Sequence, residues 1–358
     1  MKVAVDCRML GSGGIGSYLA ALLPFFVKEY ECVLFGNKEH IQKALGEPIG
    51  HSTGINNYEI FECSVPTFSV KELCLFPKKL LSSINSCNIY YTPYCNIPGG
   101  LKIPIYSTIH DVVFLDVPGL SGTVGTLARK WFYQHAVNLS RKVFTVSNFS
   151  KQRIEFHLKT KQQQIITTYN ALPHWFYQDV NICVQKENYI LFVGNIKKHK
   201  GLATLLQAFK ILLKNGIDAK LMIVGNSENF RTGDSDIWEQ IADCPPSSVI
   251  FTGRISDSEL NEIYAKAKVL VQPSLYEGFG MPPLEALNLD TDVVLSDIPV
   301  FKEIYNGFPV TFFKCQDAFD LAKKLEEGWD NFGKNTIHVP DTYSFEKTFD
   351  IIKTNLYN

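Results

Sequence analysis

The sequence predicts an α/β protein of two Rossmann-like halves, and three observations carry that expectation. Short β-branched apolar runs alternate with longer segments of helical period along most of the chain, the pattern of parallel sheets covered by helices on both faces. The runs fall into two series, separated by residues 174–188, which follow no period and read as an interdomain linker. A length of 358 residues suits two domains. The expected boundaries are 1–178 and 179–343, with a final segment, 344–358, that packs back on the first half.

The first series comprises KVAVD (2–6), CVLFG (32–36), IPIYSTIH (103–110), KVFTVS (142–147) and QIITTY (164–169). The second comprises YILFVG (189–194), KLMIVG (220–225), SVIFTG (248–253), KVLVQPS (268–274) and DVVLSD (292–297). Among the helical segments, residues 203–216 repeat apolar side chains at three and four, and residues 255–267 open on a capping box of Ser256 and Glu259. Residues 344–357 are amphipathic.

Composition narrows the function classes. The chain is 46% hydrophobic and 20% charged, which excludes collagenous, disordered and disulfide-scaffold proteins. A net charge of −1 gives no whole-molecule attraction to nucleic acid. Charge is nevertheless uneven: residues 1–180 hold 17 basic and 12 acidic side chains, the remainder 18 and 24. A basic first half favours anionic partners such as phosphates or lipid headgroups, unless it is ordinary surface scatter. Nine cysteines stand singly with no CxxC, which points to reduced thiols in a cytoplasmic protein. The first ten residues read as a strand and not as a signal peptide. The apolar stretch 19–27 is about half a membrane span and contains Pro24. The expected location is cytoplasmic, at most peripheral at the inner face of the membrane. Pro77-Lys78-Lys79-Leu80 and Arg129-Lys130-Trp131-Phe132-Tyr133 are candidate membrane contacts, or else solvated helix faces over buried aromatics.

Residues 11–16 spell GxGxxG, but a dinucleotide fingerprint fits poorly. Cys7 to Leu10 intervene after the strand, and the second strand ends in Phe35-Gly36-Asn37 without the acid that holds a ribose. A NAD-dependent oxidoreductase is therefore the weakest alternative. Gly13 and Gly14 still permit close backbone approach, and a helix beginning near Gly16 offers N–H groups to an anion. A plain strand-to-helix turn is the competing account.

The most informative stretch is 274–287, SLYEGFGMPPLEAL. It follows a buried strand and supplies a Gly-rich turn, then prolines suited to a first helical turn, then a helix. Backbone N–H groups at 278–284 would point from the helix N-terminus toward a diphosphate. Glu277 and Glu285 would face different parts of one ligand. Carboxylates beside phosphates are costly unless they accept hydrogen bonds from hydroxyls, which sugars provide. Capping of a helix by acidic residues is the alternative.

At these residues the sequence resembles the retaining glycosyltransferases of the GT-B fold, the group called family 4 or group 1. The likeness lies in EGFG-x-P-x-x-E (277–285) and extends through FVGN (192–195), KKHKGLATLLQAF (197–209), VIFTGRISDSELNEIYAKA (249–267) and SDIPVFKEI (296–304). In the first half, DCRML, GGIGSYL, TPYCNIP, TIHDVVFLDVP and TVSNFSKQRI fit the mannosyltransferase-like branch. The resemblance implies two Rossmann-like domains facing across a cleft.

It also implies roles. Glu277 would lie at the transferred sugar and Glu285 at the nucleotide ribose, with Arg254 and Ile255 near the ribose or base. Amides of Gly278, Phe279, Gly280 and Met281 would contact the donor sugar and diphosphate. Lys200 matches the family's phosphate-binding lysine. Its arginine is absent, since Asn195 or His199 occupies the position, which leaves His199, Lys197, Lys198 or Arg254 to offset a phosphate charge. His110 would contact the donor sugar near the reacting carbon. Gly13, Gly14, Ile15 and Asp111 would approach the donor phosphate or the acceptor. The family's A-x-G-x-P-V after the second glutamate is replaced here by residues 288–293, NLDTDV.

The activity implied is transfer of a hexose, with retention, from a nucleoside-diphosphate sugar. GDP-mannose is favoured over a UDP-hexose, and the acceptor is a glycan or lipid-linked oligosaccharide of a surface polysaccharide. No cofactor is expected. Asp234-Ser235-Asp236 sits in a polar segment, so metal independence is expected too. A catalytically weak nucleotide-sugar-binding module is the runner-up, because of the missing arginine.

Overall fold

A computed structural model of the protein describes residues 1–46, 57–177, 185–225, 235–253, 255–334 and 336–356. The chain divides into two compact units: Met1–His174 with Tyr343–Asn358, and Trp175–Thr342. The break after 174 precedes the expected 178/179 boundary, which lies outside the described residues, as do Arg254, Asp234 and Cys183.

In the first unit the described strands are β1 (Lys2–Asp6), β2 (Glu31–Gly36), β3 (Tyr58–Glu62), β4 (Ile89–Thr92), β5 (Ile105–Thr108), β6 (Ser140–Thr145) and β7 (Ile165–Thr167). They form one sheet in the order β3-β2-β1-β4-β5-β6-β7, with every pair parallel. The second unit has β8 (Glu187–Val193), β9 (Lys220–Val224), β10 (Val249–Gly253), β11 (Ala267–Gln272), β12 (Asp292–Ser296) and β13 (Thr311–Phe313). Their order, β10-β9-β8-β11-β12-β13, is again parallel throughout. Both sheets reverse winding once, between β1 and β4 and between β8 and β11. Loops leaving the carboxyl ends of those strands diverge there and open a crevice for ligands.

Each sheet is buried by its own helices. In the second unit Ile190, Phe192, Leu221 and Val269 of the sheet pack with Leu205, Phe209 and Leu212 of the helix Leu202–Lys214 and with Leu321 and Leu325 of Ala318–Gly328. In the first, the helix Phe345–Asn355 closes the sheet after an excursion of the chain through the whole second unit. Phe349 meets Phe26 edge-on at 5.1 Å between ring centroids and stacks with Phe25 at 5.6 Å. Thr348 Oγ1 donates to the Thr168 carbonyl at 3.0 Å, and Tyr106 OH donates to that of Leu356 at 3.1 Å.

Candidate active site

The second unit's site is built on the loops that leave β8 and β11, the two strands flanking the reversal. After β8, Asn195 is exposed, and Lys198–Lys200 form a single tight turn. Gly201 ends it at φ +72° and starts the helix Leu202–Lys214. A side chain could not stand there, because a Cβ at 201 would lie 1.9 Å from the Pro273 carbonyl oxygen. The two loops are stitched by Leu275 N–H donating to the His199 carbonyl at 2.8 Å.

This contact delivers Lys200 to Glu277. Its ammonium donates to both carboxylate oxygens, at 2.7 and 2.8 Å, and Ser274 Oγ donates to Oε1 at 2.8 Å. Glu277 is only 8% exposed, and one cation and one hydroxyl satisfy its oxygens. Spacing had given no role to Ser274, although it stands three residues before Glu277 at the end of a buried strand.

The turn that follows reaches Gly280 at φ +85°, where a Cβ would fall 2.4 Å from a carbon of the Phe301 ring. Tyr305 OH donates to the Gly280 carbonyl and pins the turn. The helix Met281–Asn288 starts at once, with prolines in its first turn. Pro282 and Pro283 carry no N–H, so the donors expected over 278–284 are concentrated at 278–281. Glu285 lies one turn further, where Tyr264 OH donates to Oε2 at 2.6 Å. Burial raises the Glu285 pKa, while the Tyr264 hydrogen bond opposes the rise. The two glutamates thus have separate partners. Tyr264 was not legible as one, being 21 residues away on another helix.

His199 departs from expectation. Burial, aided by Lys200 and Lys197, lowers its pKa to about 4, so it is neutral at pH 7 and contributes no phosphate-binding charge. Its Nδ1 is buried without a hydrogen-bond partner. Lys197 and Lys198 are exposed, and Ile255 is half-buried.

In the first unit the predicted residues sit around the reversal between β1 and β4. The helix Gly13–Glu29 begins at Gly13, three residues before the expected start. Gly13 itself adopts φ +56°, and a Cβ at 13 or 14 would meet no protein atom within 4 Å. Ile15 is half-buried on the first turn. His110 follows β5, with Nε2 3.0 Å from the Pro93 carbonyl and its ring edge-on to Tyr18 at 4.8 Å. A carbonyl only accepts, so Nε2 carries the proton. Burial lowers the pKa to about 4, and the neutral ring keeps Nδ1 as an acceptor. Asp111 Oδ1 accepts from Val113 N–H at 3.0 Å.

Beneath the glycine loop lies a buried cluster built on Asp6 and Arg8 of the DCRML segment, to which the sequence assigns no role. Arg8 Nε donates to Asp6 Oδ1 at 2.9 Å, and an Arg8 terminal nitrogen donates to Glu72 Oε1 at 2.6 Å. Tyr90 OH and Asn96 Nδ2 donate to Asp6 Oδ2 at 2.8 and 3.1 Å. Burial disfavours the Arg8 charge, but Asp6 outweighs it and the pKa rises.

Residues 175–331 match the model of the family "Glycosyl transferases group 1". The match spans nearly all of the second unit, Trp175–Thr342. Across more of the chain, residues are 28% identical over 239 positions to the O-antigen chain mannosyltransferase RfbU of Salmonella typhimurium, covering 66% of this chain and 62% of that protein. The chain therefore spans somewhat under two thirds of this relative's length. An uncharacterized glycosyltransferase of Methanocaldococcus jannaschii, MJ1607, is 27% identical over 344 residues, which is 84% of this chain and 78% of that one. A crystal structure of Anabaena HepE in complex with UDP and glucose superposes with a TM-score of 0.72, covering all of both chains at 15% identity. The chain thus has the GT-B fold, with two parallel α/β units.

Proposed function

We propose that the protein transfers a hexose from a nucleoside-diphosphate sugar to a glycan or lipid-linked acceptor in polysaccharide synthesis, with retention at the anomeric carbon. The observation that carries this is the Lys200–Glu277 pair at the reversal of the second sheet, beside the 278–281 amides. The departing diphosphate would be met by Lys200 and those amides, which are preorganised donors. The ammonium has three protons, so it can hold Glu277 and a phosphate oxygen together. Glu277, held by Lys200 and Ser274, would orient sugar hydroxyls. Glu285, held by Tyr264, would accept from the ribose.

His110 is assigned to the donor sugar, where a neutral imidazole accepts through Nδ1 without adding charge. Retention is assigned by resemblance: the leaving phosphate takes the acceptor proton during attack from the same face. The reading requires neither cofactor nor metal.

GDP-mannose is the favoured donor because RfbU is described as a mannosyltransferase; the UDP in the HepE complex makes UDP-hexoses the alternative. A thermal-shift panel of UDP, GDP, ADP and their sugar conjugates tests this. A ligand at 100 times its Kd stabilises by about 2.7 kcal/mol. One nucleotide series should shift the melt, and Glu285→Ala should abolish the shift with EDTA having no effect. Absence of a shift with every nucleotide would refute the assignment. Binding without turnover on any acceptor would favour a nucleotide-sugar-binding module, the reading suggested by the absence of the family's phosphate-binding arginine.

A further inference from the structure

We infer that Phe68 and Trp131 form a subsite in the first unit on which a sugar ring of the acceptor glycan stacks, and that the buried Arg8 cluster holds Phe68 in place for it. The subsite deepens the transferase reading and rests on it for the class of acceptor.

Phe68 is strained. It adopts φ +57°, the left-handed region, where a bulky side chain is an outlier of the kind that gathers at functional sites. Its N–H donates to Glu72 Oε2 at 2.7 Å. Glu72 is wholly buried, and its other oxygen accepts from Arg8 at 2.6 Å and from Asn96 Nδ2 at 3.3 Å. Arg8 is locked in turn by Asp6. Two buried carboxylates around one buried guanidinium are costly to keep, and well-packed apolar residues often serve stability as well. At its outer end the cluster grips a single backbone N–H, and the effect at the surface is to place the Phe68 ring.

That ring is 37% exposed and meets the rings of Tyr94 and Phe132 edge-on, at 5.4 and 5.0 Å between centroids. Trp131 adjoins Phe132 at 5.0 Å and is 50% exposed. His135 stacks flat against it at 4.8 Å, with 9° between the rings, and so fixes the plane of the indole. Of the segments expected to touch a membrane, Tyr133 and Leu80 are core residues instead, and Arg129 lies over the Phe114 ring at 4.1 Å. Trp131 and Phe132 thus join Phe68 in one run of rings whose two ends are open to solvent.

Position decides what these rings meet. Phe68 follows β3, Tyr94 follows β4 and His110 follows β5. The strands are parallel, so the three loops leave one edge of the sheet, the edge at which open α/β sheets bind ligands. The peptide joining Pro93 to Tyr94 carries the carbonyl that holds His110, so the run of rings starts beside the histidine assigned to the transferred sugar. A pyranose suits it: one face of the sugar is made of C–H groups, which the negative face of an aromatic ring attracts, while the hydroxyls at the rim stay in water. Rigid rings also lose little conformational freedom on binding. A nucleobase stacks on aromatic rings too, but the residues assigned to the nucleotide belong to the second unit.

The test is saturation-transfer difference NMR of the full chain, without nucleotide, against di- and trisaccharides of mannose, glucose, galactose and N-acetylglucosamine at millimolar concentration. At least one saccharide should receive transfer, strongest at the C–H protons of one ring face. Phe68→Gly, which adopts φ +57° without strain, and Trp131→Ala should each weaken its binding at least about fivefold, and Phe68→Tyr should keep it. Glu72→Leu should weaken it as well, although Glu72 is too deeply buried to touch a sugar. Circular dichroism and the nucleotide-induced melting shift should match the parent in every variant. The inference is overturned by absence of transfer to every saccharide or by Phe68→Gly or Glu72→Leu chains that bind like the parent. It is overturned too by uridine and guanosine binding with the same dependence on Phe68, which would make the rings a base-stacking surface. A chain that gives such a result yet shifts with a nucleotide keeps the donor assignment, whereas one that binds saccharide through Phe68 and shifts with no nucleotide loses only that assignment.

Discussion

Replacing Gly201 by alanine tests whether the two loops of the site are held together by a backbone contact. The residue is at φ +72°, which for alanine costs about 1–2 kcal/mol. Its new Cβ would sit 1.9 Å from the Pro273 oxygen and 2.8 Å from the Pro273 carbon. Both are backbone atoms, so no rotamer relieves the overlap. The loops must separate by well over an ångström, and the Leu275–His199 hydrogen bond, worth about 1 kcal/mol, is stretched or lost. The total is about 2–4 kcal/mol, or roughly 5–10 °C in Tm for a unit of this size. Calorimetry and urea unfolding read the stability, and nucleotide titration reads the loss of Lys200–Glu277 alignment. Gly14→Ala is the contrast, because its Cβ meets no protein atom within 4 Å and the residue is helical. It should change stability by no more than about 1 kcal/mol, in the stabilising direction. If Gly201→Ala melts within a degree of the parent, the stitched-loop account is wrong.

Two further outcomes follow from buried charge. Arg8→Met should cost about 3–5 kcal/mol in chemical denaturation, because it leaves Asp6 and Glu72 buried without their cation; a loss below about 1 kcal/mol would mean the cluster hydrates. His110 and His199, both lowered from 6.5 to about 4 by burial, are neutral in the folded state. Their folded pKa lies below the unfolded one, so they favour folding above pH 6.5, and that contribution fades as pH falls toward 4. NMR titration should show neither ring protonating between pH 8 and 5.5, and a ring titrating near 6.5 would contradict the burial.

The parallel sheets were legible because strands buried on both faces must be apolar almost without a break. The sequence-expected strand at 2–6 coincides with β1, and the capping box of Ser256 and Glu259 caps the helix Asp257–Lys266 as its spacing implies. The strands missed were short or atypical. β3 is an edge strand with partly exposed side chains and no alternation. β4 is IYYT, whose tyrosines are core residues although their hydroxyls read as polar. At the site, Glu277 and Glu285 could be singled out because glycines and prolines punctuate one local segment. The Ser274 contact is local, three residues before Glu277, but a lone serine carries no such signal; the Tyr264 partner, and the burial that keeps His199 uncharged, depend on packing between distant segments. Local periodicity cannot encode such contacts. The Arg8 cluster was missed for the same reason, since Glu72 reaches it from the helix Val70–Cys74 and Asn96 from a remote loop.

The helix Phe345–Asn355 belongs to the first unit yet follows the entire second unit in the chain. A ribosome therefore delivers residues 175–342 before the piece that covers Phe25, Phe26 and Tyr30. During that interval the first unit carries an open aromatic seam, while the second can already fold as a unit. The order of maturation is thus the reverse of the order of synthesis: the half that starts the chain is the last to be completed, and its seam is the place where a chaperone would be needed.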